Sequence, residues 1–229
     1  MQKIRKLVPR VTCPALLLTI VCNTVTYYGT RILMNGRMHY DLTNAFDDRI
    51  PLIPWTITIY WGCYVFWIVN YILGCRQKQE TAFRFLGADI IAKLVCLFCF
   101  LVLPTTNVRP VIEEKTIWDT MMMWLYRIDA ADNLFPSIHC LTSWLCFIAV
   151  RENNRIPKWY KVTSVLIAVA ICISTLTTKQ HVLIDVFAGV GLAEVSYLFV
   201  KKSGFAKWYE KKIVTLSNRL WERIKISEE

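Results

Sequence analysis

Six long apolar runs limit what this chain can fold into. They lie at roughly 11–30, 52–74, 86–106, 136–151, 160–178 and 181–200, and a helix that crosses a bilayer core needs about 20 apolar residues. The fourth run is short and is expected to be extended by Leu134 and Phe135. Most connections are short, so neighbouring helices should run antiparallel. The expected fold is all-α, a polytopic membrane protein built as a six-transmembrane-helix bundle over residues 1–200, followed by a basic amphipathic tail over 201–229. No internal repeat and no low-complexity segment interrupts this plan.

Composition agrees with that reading. Of the 229 residues, 55% are hydrophobic and 19% charged, whereas a soluble domain carries about a quarter charged residues. Mean hydropathy is +0.38. Eight of the nine cysteines (Cys13, Cys22, Cys63, Cys96, Cys99, Cys140, Cys146 and Cys172) sit inside the apolar runs, where thiols serve as packing groups. The Cys96/Cys99 pair has no second pair with which to form a zinc site, and no metal or other cofactor is expected. The net charge of +10 does not indicate nucleic acid, because the basic residues flank the apolar runs and would meet anionic headgroups there. The first run lacks a small-residue cleavage site, so it is expected to be retained rather than removed as a signal peptide.

Lysine and arginine set the orientation. Segments 1–10, 75–84, 151–161 and 201–229 carry 19 of these residues, while Arg31, Arg37, Arg49, Arg109, Lys115, Arg127 and Lys179 make only seven on the other side. The imbalance predicts a cell-membrane protein with both termini in the cytoplasm and with loops 31–50 and 107–134 and the turn at 178–181 outside. In the tail, Trp208, Ile213, Leu216, Leu220 and Ile224 recur near helical spacing between basic residues, which predicts a helix lying on the cytoplasmic headgroups. The stretch 115–128 reads as a second interfacial helix on the outer side.

Two of the three histidines fall at the outer ends of runs. His139 begins the fourth and His181 begins the sixth, with Asp185 four residues later. Residues i and i+4 share one helix face, so Asp185 can accept a hydrogen bond from one nitrogen of His181, fix its tautomer and leave the other nitrogen free to attack. An ionisable pair at this depth is expensive and marks a functional candidate. Pro136 and Ser137 suit a helix start, whose free N–H groups favour an anion. Arg109 and Lys179 add positive charge at the same depth.

These segments resemble the type 2 phosphatidic acid phosphatase superfamily of lipid phosphate phosphatases. Its three motifs are lysine, six residues and Arg-Pro; Pro-Ser-Gly-His; and Ser-Arg, five residues, His, three residues and Asp. Here stand Arg109-Pro110, then Pro136-Ser137-Ile138-His139, then Ser174 with His181 and Asp185 at the family spacing. The likeness covers about 85–200, the motif-bearing part of the membrane catalytic domain. It implies a lipid phosphate substrate and a phosphohistidine on His181, with Asp185 orienting that ring. It also implies proton transfer by His139, and phosphoryl oxygens held by Arg109, Ser137 and Lys179.

Three positions depart from the pattern: Val102 stands for the lysine, Ile138 for the glycine and Thr175 for the second arginine. Lys93 lies sixteen residues before Arg109, about 24 Å along a helix, too far to replace the lysine; it is expected to pair with Asp89 near the cytoplasmic side. These losses weigh against ordinary phosphatase activity and resemble the sphingolipid-synthase branch, which moves a phospho-headgroup to a lipid hydroxyl. Three functions stay open: hydrolysis of a lipid phosphate, headgroup transfer, and non-enzymatic lipid binding or transport. Singly, His139 reads as a capped helix-start residue and His181–Asp185 as a buried polar pair. Asp47 and Asp48 read as solvated loop charge, and Gly189 and Gly191 as sites of close helix packing near Asp185.

Overall fold

A computed structural model describes residues 7–226, with side chains through Arg219. The first run forms α1 (Cys13–Thr24), a π-helical turn (Val25–Gly29) and α2 (Thr30–Met34) on one continuous helical path. Further on come α3 (Ala45–Arg49), α4 (Ile57–Cys75) and α5 (Gln79–Val102). Then follow α6 (Ile117–Ile128), α7 (Ile138–Arg151), α8 (Lys158–Thr177), α9 (Leu183–Lys202) and α10 (Phe205–Ile226). Among the described residues, four helices are long and apolar enough to cross a membrane: α4 with its leading 3-10 turn, α5, α8 and α9. The first run is divided by its π-turn.

The fourth run yields only the 14 residues of α7, about 21 Å of rise against the roughly 30 Å of a bilayer core. Its surroundings explain the length. α7 packs against α4, α5, α8 and α9, and ten of its residues, from Ile138 to Val150, are buried. A helix enclosed by protein on its sides does not have to match the lipid thickness. It is the hub around which the longer helices stand.

Several elements differ from their sequence reading. Asp47 is buried rather than solvated: Oδ1 accepts the Leu183 N–H at 2.7 Å and Oδ2 accepts the Asn44 N–H at 3.0 Å. A carboxylate there satisfies an otherwise orphaned N–H at the start of α9 and complements its dipole; Asp48 remains exposed. Lys93 does meet Asp89, at 3.7 Å, but its ammonium also donates to Thr142 Oγ1 at 2.7 Å. Thr142 lies one turn beyond His139 on α7, so the pair sits within the bundle, one turn from the histidine end of α7. The tail is helical, yet one edge, Ala206, Tyr209 and Ile213, is buried in the main core, while Trp208 and Leu216 remain exposed. The Leu220 and Ile224 side chains lie outside the described residues. α6 forms where the outer interfacial helix is expected and buries Met122 and Leu125 against Ile57 and Tyr60. A two-residue parallel pairing joins β1 (Tyr40–Asp41) to β2 (Thr105–Thr106), with Tyr40 opposite Thr105. It ties the loop before α3 to the end of α5.

The two glycines of α9 behave differently. A Cβ on Gly189 would come within 2.6 Å of the Ser137 carbonyl oxygen and 3.2 Å of the Leu141 nitrogen, whereas one on Gly191 meets nothing within 4 Å. Close packing is therefore required at Gly189 alone, where α9 touches the start of α7. Gly189→Ala should destabilise the folded protein by about 1–3 kcal/mol through overpacking. Gly191→Ala should be neutral or slightly stabilising, and thermal unfolding of the two variants in one detergent separates them.

Candidate active site

Every candidate residue lies at one end of the bundle, at the start of α4, α7 and α9 and the end of α5 and α8. The α8–α9 turn is closed by the Thr175 carbonyl, which accepts the N–H groups of Gln180 at 2.9 Å and His181 at 3.1 Å. Lys179 takes a left-handed conformation, φ +54°. This turn presents His181 just before α9 begins. Asp185, in the first turn of α9 and fully buried, brings Oδ2 to 3.3 Å from His181 Nδ1 and accepts the Val182 N–H at 3.1 Å. Its backbone carbonyl accepts the Ser137 N–H at 3.1 Å. Burial alone would lower the His181 pKa, but the hydrogen bond and negative charge of Asp185 outweigh it and hold the ring above its ordinary value. With Nδ1 engaged, Nε2 is the nitrogen left for chemistry.

His139 occupies the first turn of α7, behind the Ser137 cap, whose Oγ accepts the Cys140 N–H at 3.3 Å. Its ring centroid lies 6.0 Å from that of His181, 4.6 Å from Tyr60 and 5.5 Å from Trp67. Tyr60 Oη donates to Asp129 Oδ2 at 3.3 Å and lies 3.5 Å from His139 Nδ1. Each histidine thus has a carboxylate behind Nδ1, Asp185 directly and Asp129 through a tyrosine hydroxyl. Tyr27, carried on the π-turn, donates to the other Asp129 oxygen. Single-turn π insertions recur at functional sites, and here one supports the second carboxylate.

Both histidines line a cavity of about 490 Å³ whose walls include Asp129, Asp132, Asn133 and Gln180. Among the described residues, no lysine or arginine lines it. The predicted cations are engaged elsewhere. The Arg109 guanidinium donates to the carbonyls of Asp129 and Ala130 and to Gln180 Oε1, the last at 2.7 Å. Lys179 Nζ donates to the Asp47 carbonyl at 2.9 Å and lines a neighbouring pocket that shares His181 with this cavity. Ser137 is fully buried as a cap. His139, His181 and Asp185 therefore come together, while Arg109 and Ser137 stand behind the cavity wall and Lys179 lines the neighbouring pocket.

Sequence reasoning missed Gln180, Tyr60 and Asp129. Gln180 is the clearest omission. Arg109 can only donate, so it fixes the amide with Oε1 toward the guanidinium, and the Gln180 Nε2 is buried without a partner. The departures have local reasons too. Thr175 is fully buried, 3.7 Å from Cys140 Sγ, and leaves no room for an arginine. Val102 is 62% exposed on the outside of α5, facing away from the site.

No curated protein matches the chain. The family model of the PAP2 superfamily matches residues 37–199, a span that holds α4 to α8 and most of α9, with His139, His181, Asp185 and the Arg109 clamp. By that match over most of its length, and by the motif residues it contains, the chain belongs to the type 2 phosphatidic acid phosphatase (PAP2) superfamily.

Proposed function

We propose that this protein is a membrane enzyme that cleaves a lipid phosphoester through a phosphohistidine on His181. One observation carries the proposal: two imidazoles from different helices face one cavity with ring centroids 6.0 Å apart, and one of them is held by a buried carboxylate. That separation accommodates a phosphorus atom between the rings and supplies the orientation on which displacement depends. His181 Nε2 attacks phosphorus as the bond from phosphorus to the leaving oxygen breaks, and His139 gives that oxygen its proton. His139 then takes a proton from the acceptor hydroxyl, whose oxygen attacks the phosphohistidine, and the P–N bond breaks to free His181. Asp185 stabilises the imidazolium. The unpartnered Gln180 Nε2 donates to a phosphoryl oxygen where negative charge develops, and Arg109 holds that amide in place. Ser137 and Lys179 contribute by shaping the ends of α7 and α9.

A second cavity, about 420 Å³ and mostly apolar, shares Asn23 and Trp67 with the first. Its continuity with the site supports a substrate with a hydrocarbon tail. Water is the acceptor in the leading reading. Transfer to a lipid hydroxyl is favoured by the absence of cationic side chains from the cavity wall: a phosphodiester carries one negative charge there, and a phosphomonoester carries two. Adding a lipid alcohol to the assay and following phosphate against headgroup-bearing product distinguishes the acceptors. The basic-residue imbalance supports cytoplasmic termini and a site at the outer face.

Rapid quenching of enzyme with labelled lipid substrate should trap an acid-labile phosphoenzyme. His181→Ala should abolish it and cost at least roughly 10³-fold in turnover, as loss of a covalent nucleophile does; retained function in that variant would favour a non-enzymatic lipid-binding role. The pH profile gives a second test. Attack needs neutral His181, so activity is lost as pH falls through its raised pKa. Asp185→Asn removes the charge that raises this pKa and leaves the burial that lowers it. The acid limb should move to lower pH while the maximal rate falls. Sidedness is checked with Glu113→Cys, which should react with an impermeant maleimide added outside intact cells and not only after lysis.

A further inference from the structure

The walls of the catalytic cavity are chemically lopsided. At the floor lie the histidines and the partnerless Gln180 amide donor, groups suited to phosphoryl oxygens. Farther along the wall, among other polar groups, stand acceptors with spare capacity. Asp129 receives two tyrosine hydroxyls, and among the described residues no cationic side chain contacts its carboxylate. Asp132 is bridged to Arg31 through Oδ2 at 3.1 Å, and its Oδ1 is buried with no partner. Asn133, 4% exposed, also has a partnerless acceptor in Oδ1. A buried acceptor without a donor is costly in an empty site and gains when a ligand supplies one. Around these acceptors stand six aromatic residues, Tyr27, Tyr28, Trp61, Tyr64, Trp67 and Trp124. Aromatic faces beside carboxylates attract an organic cation, and quaternary ammonium groups above all.

Resting on the phosphoryl-transfer reading above, we propose that this cavity selects phosphodiester lipids whose headgroup is a cationic amino alcohol. The phosphate sits between His181 and His139, and the ammonium sits among the aromatic rings beside Asp129 and Asp132. The spacing supports this placement. One hydroxyl, Tyr60 Oη, lies 3.5 Å from His139 Nδ1 and 3.3 Å from Asp129 Oδ2, so the carboxylate is only a short reach from the phosphate position. In an amino-alcohol phosphodiester two carbons separate the phosphate ester oxygen from the nitrogen. A phosphomonoester would place two negative charges next to Asp129 and Asp132, of which only Asp132 is paired with a cation, Arg31. A neutral polyol headgroup would leave the aromatic faces without a charge to meet.

The test uses the full chain in detergent with four short-chain probes: phosphatidylcholine, phosphatidylethanolamine, phosphatidylglycerol and phosphatidate. Diacylglycerol release by the wild type should favour the two ammonium lipids by at least roughly tenfold, the scale of a desolvated cation–π contact. Trp124→Leu and Asp132→Asn should each reduce that preference, lowering phosphatidylcholine turnover several-fold more than phosphatidylglycerol turnover. Binding is read separately in His181→Ala, where phosphatidylcholine should change the tryptophan emission saturably and phosphatidate should not. Equal or better handling of phosphatidate or phosphatidylglycerol overturns the headgroup assignment and leaves the phosphohistidine reading standing. Selective binding of phosphatidylcholine without His181-dependent cleavage of any probe overturns the catalytic reading and retains the pocket. Neither binding nor cleavage overturns both.

Discussion

The buried carboxylate of Asp185 organises this end of the molecule. A lone ion at that depth is strongly disfavoured, and the local structure is arranged around making it tolerable. Its side chain holds the Val182 N–H and His181 Nδ1, and its backbone carbonyl holds the Ser137 N–H. One residue therefore starts α9, orients the His181 ring and fastens the beginning of α7, which carries the His139 ring. Gly189, one turn further along α9, completes the joint by letting the two helix backbones meet at Ser137. The relation between the histidines is a property of the α7–α9 contact, and chemistry and packing are coupled there.

The same economy appears in the way positive charge is used. Arg109 does not present its guanidinium to the cavity. It gathers the Asp129 and Ala130 carbonyls and the Gln180 amide, so that it fixes both the loop carrying the acceptor groups and the side chain carrying the donor. The neutral Gln180 amide, and not the guanidinium, is what lines the cavity, beside the carboxylates of Asp129 and the Arg31-bridged Asp132. The charge balance on the wall follows from this indirect use of Arg109.

What the sequence disclosed depended on the kind of signal. The apolar runs gave the helical architecture because burial and period are recorded in consecutive residues. The pairing of His181 with Asp185 was legible because an i, i+4 relation is local. The length of α7 was not legible, because it is set by the helices that surround it. Arg109 was found as a residue and misplaced as a group, since its partners lie 20 to 71 positions away in sequence. Tyr60, Tyr27 and Asp129 gave no signal at all. An aromatic residue in an apolar run looks the same whether it packs or backs a histidine ring, and a loop aspartate looks solvated until a tyrosine hydroxyl is shown to meet it. Asp47 misled for the same reason: its partner, the Leu183 N–H, is 136 positions away.

The π-turn in the first run shows how such distant partners are brought together. A regular helix advances 3.6 residues per turn, so an inserted residue rotates everything beyond it relative to everything before. Here the insertion falls at Val25–Gly29, where Tyr27 reaches Asp129 while Thr26, beside it, donates to the Lys93 carbonyl on α5. Neighbouring residues on that turn contact two different parts of the protein, the cavity wall and the core helix. The first run contributes to the site because it departs from regular helix at this depth, and that departure also ends the uninterrupted α-helix of the run.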